Sequence, residues 1–408
     1  MNDTAERIRF RYPIRLALPG IGATIALVSV AACGSEGAEG DRTGLGPVQA
    51  ALEHEFAVIQ TVRELPDGRV LVADPLGQTL VVVDMQAGTT TALGQVGEGP
   101  AEYRQPDAVW PLPGDRSLLV DLGNGRLTEM GADLSFGDTR PYMLGSFQMG
   151  SPIMLAIPQG VDGSGGIYFQ GFGMSAGGQV ADSSQVLRYD LETEAVDTLA
   201  SVKLIDRTRR TSGGAGNQNV SISPIPLSPA DAWGVASDGR VVAARSVPGS
   251  GQFWVEWIAP DGEVTRGPAY AYSPVDIGRA EMEEWRDAQA ETGGGMTIRI
   301  EGVNGNMNMR AGRGGAPGND DLDSYQWPDS KPAFFQRIPV DPTGRAWVRR
   351  HTAAGDAPAY DLFDGSGTRT ASIELPMERR VVAFGEGAVY VVRMDEFDLQ
   401  YLEKYGLP

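Results

Sequence analysis

The chain is poor in the residues on which many catalytic and metal-binding proteins depend. It has 408 residues but only one cysteine, Cys33, so no disulfide can form within it and Cys-based zinc or redox sites are excluded. Its two histidines, His54 and His351, exclude a zinc site of the His-Glu-x-x-His type, and no phosphate-binding Gly-Lys-Ser/Thr sequence occurs. A fold of this size must therefore be stabilised by its hydrophobic core.

Positive charge is also scarce. The chain carries 53 acidic residues against 34 basic ones, a formal net charge of −19. Such a surface repels phosphate backbones and anionic lipid head groups, so we expect no nucleic-acid partner. Helical periodicity is almost absent as well. Its one clear occurrence is at Gly278–Glu291, where Met282 and Trp285 share a helical face.

The N-terminal residues have the pattern of an export signal. Several arginines precede an apolar run, Leu16–Ala32, that is too short for a membrane-spanning helix. The run ends in Val30-Ala31-Ala32-Cys33, which resembles a lipobox, and this resemblance implies that Cys33 is diacylated after removal of residues 1–32. An ordinary cleaved signal and an uncleaved anchor are the alternatives.

The residues after Cys33 are small and polar and cannot bury a core. We therefore predict that residues 33–46 are a lipidated cysteine and flexible tether to a membrane. Residue 34 is Gly rather than Asp, which by the enterobacterial sorting rule predicts the outer membrane. Removal of residues 1–32 deletes four Arg, one Asp and one Glu, so the mature chain has a net charge of −21.

A short unit recurs six times in the rest of the chain. Each copy has an apolar run, a turn rich in Gly and Asp, and a second β-rich run, which is the pattern of a β-hairpin. The copies are Leu65–Asp74, Leu112–Asp121, Val161–Phe169, Ala236–Ala244, Val340–Val348 and Phe384–Val392. The steps between their turn glycines are 46, 49, 76, 105 and 43 residues, which is a period in the forties lengthened by two insertions.

Two further strand candidates usually follow each hairpin, and four short strands make one propeller blade. The sequence therefore predicts an all-β fold: a single six-bladed β-propeller of four-stranded antiparallel blades over residues 47–408. One long, partly helical insertion, residues 271–333, lies between blades four and five. The last blade runs out of chain, so we expect the segment near Pro47–Glu53 to supply its fourth strand. One β-sandwich, or two in tandem, is the alternative fold.

Two short sequences carry a resemblance to known proteins. The first is Asp67-Gly68-Arg69, which is followed by a Val-x-Val-x-Asp strand. The second is Gly97–Tyr103, which is similar to a Gly-x-Gly-Pro-Gly-Glu-Phe linker between blades. Here Ala101 replaces the expected Gly and Tyr103 replaces the expected Phe. The chain thus resembles the six-bladed propellers, NHL-like or TolB-like, of bacterial envelope lipoproteins. The resemblance implies a fold rather than an activity, because propellers serve many functions.

Blade geometry predicts which face binds. In an up-and-down blade, the turns between the second and third strands and the links between blades share one face, and the long segments fall there. On this face we predict ligand-binding residues at the ends of the second strands and in the first link, namely Asp74, Glu102, Arg104, Asp121, Arg245, Arg350 and His351. An Asp in such a place also commonly caps a turn.

Two function classes remain open at this point, with a structural role in assembling outer-membrane machinery as a third alternative. The first is a non-enzymatic envelope module that binds a peptide, glycan or protein partner, for which we predict no catalytic residues and no cofactor. The alternative is a calcium-dependent hydrolase or lyase of a small lactone-like molecule in the channel, because gluconolactonase-like propellers hold a divalent ion there. Its local candidate, Asn319–Ser324, is rich in oxygens but lacks the Gly and Glu of an EF-hand loop.

Overall fold

The computed structural model describes residues 42–145, 154–171, 181–212, 219–247, 249–291, 296–303, 306–313 and 319–408. Residues 1–41, with the predicted signal peptide, Cys33 and most of the predicted tether, lie outside the described residues. Residues 40–408 form one unit of their own, which contains every described strand and helix.

The predicted six-bladed β-propeller is confirmed. Its first three blades are four-stranded antiparallel sheets: Val62–Glu64, Val70–Asp74, Thr79–Asp84 and Thr89–Ala92; Pro106–Pro111, Ser117–Asp121, Arg126–Met130 and Phe136–Pro141; Gly160–Val161, Ile167–Gln170, Ser183–Tyr189 and Val196–Lys203. Blade four consists of Ala232–Val235, Val241–Val247, Gln252–Ile258 and Val264–Arg266, with Tyr270–Ala271 also paired to its third strand.

The N-terminal chain closes the ring through the last two blades. Blade five contains Ala346–Arg350, Ala359–Phe363 and Arg369–Glu374, with Val340 bridged to Ala346 on its inner side, and blade six contains Arg379–Gly385, Ala388–Met394 and Gln400–Gly406. Val48–Ala51 pairs antiparallel with Gln400–Gly406 and is the fourth strand of blade six, as predicted.

One boundary of the predicted tether needs correction. Residues 42–44, assigned to the tether, form a strand, Arg42–Gly44, that pairs parallel with Arg369–Glu374 on the outer edge of blade five. Hydrogen bonding to an open sheet edge orders this segment, and no apolar pattern in its own sequence indicates that pairing. The N-terminal chain therefore adds an outer strand to blade five and another to blade six.

The core consists of six hydrophobic clusters, one at each interface between neighbouring blades. Residues that alternate along a strand enter different clusters. Val70 and Val72 pack toward blade six, whereas Leu71 and Ala73 pack toward blade two. Because both faces of each blade are covered, the second strands are continuous apolar runs rather than alternating ones.

Three links between blades contain a hairpin. These two-stranded excursions are Met143–Leu144 with Met154–Leu155, Arg207–Ser212 with Asn219–Pro224, and Met296–Val303 with Asn306–Arg313. In the first link, Gln95–Val96 pairs parallel with Glu102–Tyr103. The insertion before blade five also holds helix α1, Arg279–Glu291, close to its predicted bounds, and the 3₁₀ helix Asn319–Ser324.

Candidate functional site

The two faces of the propeller differ in the length of their connections. The tight-turn face carries the turns between first and second strands and between third and fourth strands, none longer than six residues. The loop-rich face carries the turns between second and third strands and the links between blades. The link before blade three, residues 142–159, is also long, although no sequence pattern predicted it.

Aspartates at the ends of second strands cap turns on the loop-rich face. Asp74 accepts hydrogen bonds from the amides of Leu76 and Gly77 in its own turn, and from those of Ala57 and Val58 in the link from blade six, at 2.7–3.1 Å. Asp121 does the same in blade two: its Oδ1 accepts from the amides of Arg104, Gln105 and Asn124 at 3.0–3.3 Å. Both carboxylates are buried and join a turn to the preceding link.

The first link is closed by its own side chains. Glu102 accepts hydrogen bonds from the side chain of Gln95 at 2.7 Å and from the amide of Gly99 at 2.6 Å, and these bonds lower the pKa of Glu102. Arg104 pairs with Glu98 at 2.6 Å, and more than half of the Arg104 side chain is exposed. Of the predicted residues on this side, Arg104 is therefore the one most open to an external ligand.

Arg245 lies in an ion-pair network of blade four. Its Nη1 is 2.6 Å from Asp231 and its Nε is 2.5 Å from Glu256, and Nη1 also donates to the carbonyl of Ser201 at 3.1 Å. Two carboxylates thus surround one guanidinium, and the network ties the link from blade three to the second and third strands of blade four.

Arg350 and His351 lie at the end of the second strand of blade five. Arg350 Nε is 3.4 Å from the buried carboxylate of Asp361. The His351 ring stacks on Phe335, with ring centres 3.8 Å apart. Burial, with the nearby cations of Lys331 and Arg349, lowers the pKa of His351 to about 3, so this imidazole is neutral at pH 7.

The predicted residues do not converge on one point. Glu102, Arg104 and Asp121 surround the first link, whereas the carboxylate of Asp74 binds the link from blade six. Arg245 lies in blade four and the remaining two residues lie in blade five. A ligand-binding role for each of them stays a prediction. The arrangement favours a broad surface over a single focus of polar groups.

The insertion before blade five is packed against the loop-rich face. Within it, Trp285 of α1 lies 5.3 Å from Tyr325 and 5.4 Å from Trp327, measured between ring centres. Glu281 accepts a hydrogen bond from the amide of Ala354 at 3.2 Å. Lys331, a residue that the sequence did not single out, is almost fully buried; it pairs with Glu284 of α1 and donates to the carbonyl of Thr352 at 2.8 Å.

A cavity of about 370 Å³ lies beside this insertion. It is bounded by the turn of blade four around Ser250, by Tyr272 and Pro274 at the start of the insertion, and by Ser330 and Lys331 at its end. Its lining combines serines and Lys331 with prolines and Tyr272, so it offers both hydrogen-bonding groups and apolar surface.

A contact between opposite blades crosses the central channel. Trp110 belongs to the inner strand of blade two, and Arg337 lies on the inner side of blade five, bridged to Trp233 of blade four. The Arg337 guanidinium is 5.4 Å from the centre of the Trp110 ring. Blades two and five face each other across a six-membered ring, so this pair occupies the channel.

Metal-ligating side chains are not clustered in the described part of the chain. No three His, Cys, Asp or Glu side chains among the described residues are grouped to hold a metal. In the candidate segment Asn319–Ser324, Leu322 is buried and Asp323 contacts Arg279 at 3.2 Å. The calcium-dependent alternative stays a prediction.

One further sequence bears on that alternative. Gly173-Met174-Ser175-Ala176-Gly177 has the Gly-x-Ser-x-Gly spacing of a nucleophile elbow, and it lies outside the described residues.

Comparisons with known proteins concern the fold. No family model matches the chain, and no curated protein matches it. Among solved structures, an exported protein of Bacteroides fragilis aligns with 11% identity and a TM-score of 0.40 over 91% of this chain and 95% of its own. Regucalcin of Agrobacterium tumefaciens, a calcium-binding protein, aligns with 11% identity and a TM-score of 0.38 over 90% and 97%.

A catalytically inactive virginiamycin B lyase of Staphylococcus aureus with quinupristin aligns with 11% identity and a TM-score of 0.39 over 88% of this chain and 83% of its own. At these identities the similarity is one of strand arrangement and says nothing about the ligand of this chain. Of the helices in the described ranges, none is long and apolar enough to cross a lipid bilayer.

Proposed function

We propose that this chain is a non-enzymatic binding propeller of the bacterial cell envelope, which presents its loop-rich face to a protein, peptide or glycan partner. The observation that carries the proposal is the position of exposed apolar side chains. Among the described residues, seven large hydrophobic side chains are exposed, and five of them lie in turns or links of the loop-rich face, or at their edges: Leu76, Val96, Val247, Met377 and Phe397.

The other two, Val48 and Val264, lie on outer strands. Single exposed apolar residues are ordinary on protein surfaces, but their concentration on one face of a scaffold is typical of an interaction surface. The tight-turn face, by contrast, is occupied by short turns whose aspartates cap the backbone, such as Asp84 and Asp364. The two faces therefore differ in connection length and in the number of exposed large apolar side chains among the described residues.

Attachment to the envelope is the second part of the proposal. The lipobox ending in Cys33 supports lipidation, and eight residues, 34–41, separate that cysteine from the first described strand. A chain of that length spans at most about 30 Å, which keeps the propeller close to its membrane. Incorporation of labelled palmitate tests the anchor: we expect it in the wild type and not in Cys33→Ser, and equal labelling of both would exclude Cys33.

Photo-cross-linking in the producing cells tests the binding face. A benzophenone amino acid is placed singly at Leu76, Val96 or Phe397 on the loop-rich face, and at the exposed Gln86, Glu192 or Glu263 on the tight-turn face as matched controls. We expect discrete adducts from the first set and none from the second. Equal adducts from both faces, or adducts from the tight turns alone, would show that the face is wrongly assigned.

A further inference from the structure

Four connections of the loop-rich face, at residues 375–378, 395–399, 52–61 and 75–78, neighbour one another where the ring closes. The amide of Met394, just before the turn at residues 395–399, donates to the carbonyl of Glu378 at 3.0 Å. Phe56 and Gln400 exchange backbone hydrogen bonds at 2.9 and 2.8 Å. The same link is joined to the turn at residues 75–78 through the carboxylate of Asp74.

The turn at residues 395–399 presents an aromatic side chain to solvent. Asp395 accepts hydrogen bonds from the amides of Phe397 and Leu399 at 2.9 and 3.0 Å, and from the hydroxyl of Tyr401 at 3.1 Å. The backbone that carries Phe397 is therefore fixed, yet its side chain is 73% exposed, the most of any large hydrophobic side chain in the described ranges. An ordered aromatic group in this position loses little conformational entropy on binding.

Two aliphatic side chains extend this apolar surface. Met377 precedes Glu378, whose carbonyl contacts Met394, and Leu76 lies in the turn capped by Asp74. Each is nearly half exposed. The hydrogen bonds described above place all three apolar residues in neighbouring connections.

Carboxylates surround these apolar groups. Five exposed acidic residues lie in the same connections: Glu53, Glu55, Glu378, Glu396 and Asp398. Of the arginines beside these connections, Arg379 and Arg393 pair with the buried carboxylate of Glu403 at 2.8 and 3.3 Å. Arg380 donates to the side-chain oxygen of Gln400 at 3.0 Å and to the carbonyl of Ile59. The surface formed by Leu76, Met377, Phe397 and the five carboxylates, which we call the seam face, thus combines exposed apolar side chains with exposed negative charge.

We infer that the seam face docks a basic segment of a partner protein, whose apolar side chain packs on Phe397 while its lysines or arginines face the surrounding carboxylates. This inference rests on the proposed function and specifies the chemistry of the partner. Charge complementarity selects the partner, because a carboxylate border repels acidic proteins and the anionic head groups of lipids. A contact between an aromatic anchor and its partner supplies most of the affinity in interfaces of this kind.

Fluorescence anisotropy with residues 34–408, which include the whole 40–408 unit, tests the inference. The probe is a labelled twelve-residue peptide of alternating Lys and Leu; one control peptide has Glu for Lys, and another has Ser for Leu. We expect the Lys-Leu peptide to bind at least about tenfold more tightly than either control. Phe397→Ala should raise its Kd about tenfold, whereas Val264→Ala, an exposed apolar residue on an outer strand, should leave it unchanged.

The double variant Glu378→Gln/Glu396→Gln should raise the Kd several-fold at low salt and flatten its salt dependence. Glu192→Gln/Glu263→Gln, on the tight-turn face, is the matched control for charge. The inference would be overturned if the Lys-Leu peptide and the control peptide with Ser for Leu bound equally, or if Phe397→Ala left the Kd of the Lys-Leu peptide unchanged. A dimer of the chain, or flotation with anionic vesicles, that Phe397→Ala abolishes would also overturn it.

Failure of this inference and failure of the proposed function give different results. Adducts at Leu76, Val96 or Phe397 in cells without Lys-Leu binding in vitro would retain the binding face and reject a basic partner. Peptide binding that depends on Phe397, without adducts at any loop-rich position in cells, would retain the chemistry of the seam face and reject its use in the envelope.

Discussion

The guanidinium of Arg337 lies 5.4 Å from the centre of the Trp110 ring, and the two residues come from opposite blades of the propeller. The indole Nε1 of Trp110 is buried without a hydrogen-bond partner among the described residues. The Arg337 guanidinium interacts with the face of the Trp110 indole, and this cation–π interaction crosses the channel. It connects blades that no hydrogen-bonded sheet joins.

A double-mutant cycle measures this contact. Trp110→Leu and Arg337→Met each remove one partner and keep an apolar side chain. The coupling free energy from the cycle then reports the interaction between the two side chains, without the other contacts that each one makes. From urea unfolding at pH 7, we expect a coupling free energy of about 0.5–2 kcal/mol. Arg266 with Trp254, 3.8 Å apart within blade four, is a local pair for comparison. A coupling of zero between Trp110 and Arg337 would mean that they do not interact.

Much of the ring could be predicted from local patterns because each blade is built from hairpins whose turns have a chemical signature. Asp-Gly and Gly-Asp turns mark the steps from first to second strands, and a missing strand in blade six implies a strand from the other end of the chain. Residues 42–44 lacked any such signal, since a strand that pairs through its backbone needs no turn sequence and no apolar pattern. The Arg337–Trp110 contact joins residues far apart in sequence, which no local pattern indicates.

The candidate site was less accessible to prediction for a different reason. Asp74 and Asp121 were selected by their position at strand ends, and that position is also the one in which a carboxylate caps two connections at once. The exposure of Phe397 depends on the conformation of the turn around Asp395. An aromatic residue flanked by Glu396 and Asp398 is the only sequence signal for it.

Close packing between the inner strands of blades four and five makes Gly234 necessary. The amide of Ile338 donates to the carbonyl of Trp233 at 3.0 Å, and a Cβ at Gly234 would lie 1.7 Å from the carbonyl oxygen of Ile338. We expect Gly234→Ala to lower the free energy of unfolding by about 3 kcal/mol or more, because backbone must move to admit the methyl group. A Cβ at Gly46 would lie in open space, so Gly46→Ala should leave the free energy of unfolding unchanged in the same urea titration. Equal midpoints for the two variants would contradict this packing.

His351 should make the fold less stable as the pH falls through 6. Its pKa is lowered to about 3 in the folded chain, whereas an unfolded histidine titrates near 6.5. Between these values the unfolded chain takes up a proton that the folded chain does not, so stability decreases as pH decreases. From pH 7.5 to 5.5, above the range in which carboxylates titrate, we expect wild type to lose about 1.4 kcal/mol.

His351→Phe keeps an aromatic ring against Phe335 and removes the titrating group, so we expect its stability to be nearly constant over the same interval. Urea midpoints at each pH provide the measurement. His54→Gln, which alters the other histidine, should retain the loss seen in wild type. A His351→Phe variant that loses as much stability as wild type would show that His351 is protonated in the folded chain.

Lys331 should hold α1 to blade five. Its ammonium group pairs with Glu284 of the helix and donates to the carbonyl of Thr352, and its side chain is only 1% exposed. Lys331→Met retains the stem and removes both interactions, which should weaken docking of the helix by about 1–3 kcal/mol. Trypsin cleaves after Arg279 or Arg286 only when the helix is locally open, so the cleavage rate should rise with the population of the open state, by at least about fivefold.

The matched control is Glu283→Gln, which breaks the exposed pair between Arg279 and Glu283 at 2.9 Å. An exposed pair of this spacing contributes little to stability, so the control should raise cleavage less than threefold. Intact-mass analysis identifies the cut site and shows that the rest of the propeller survives. If Lys331→Met is cut no faster than Glu283→Gln, the buried lysine does not hold α1, and the aromatic contacts of Trp285 with Tyr325 and Trp327 must suffice.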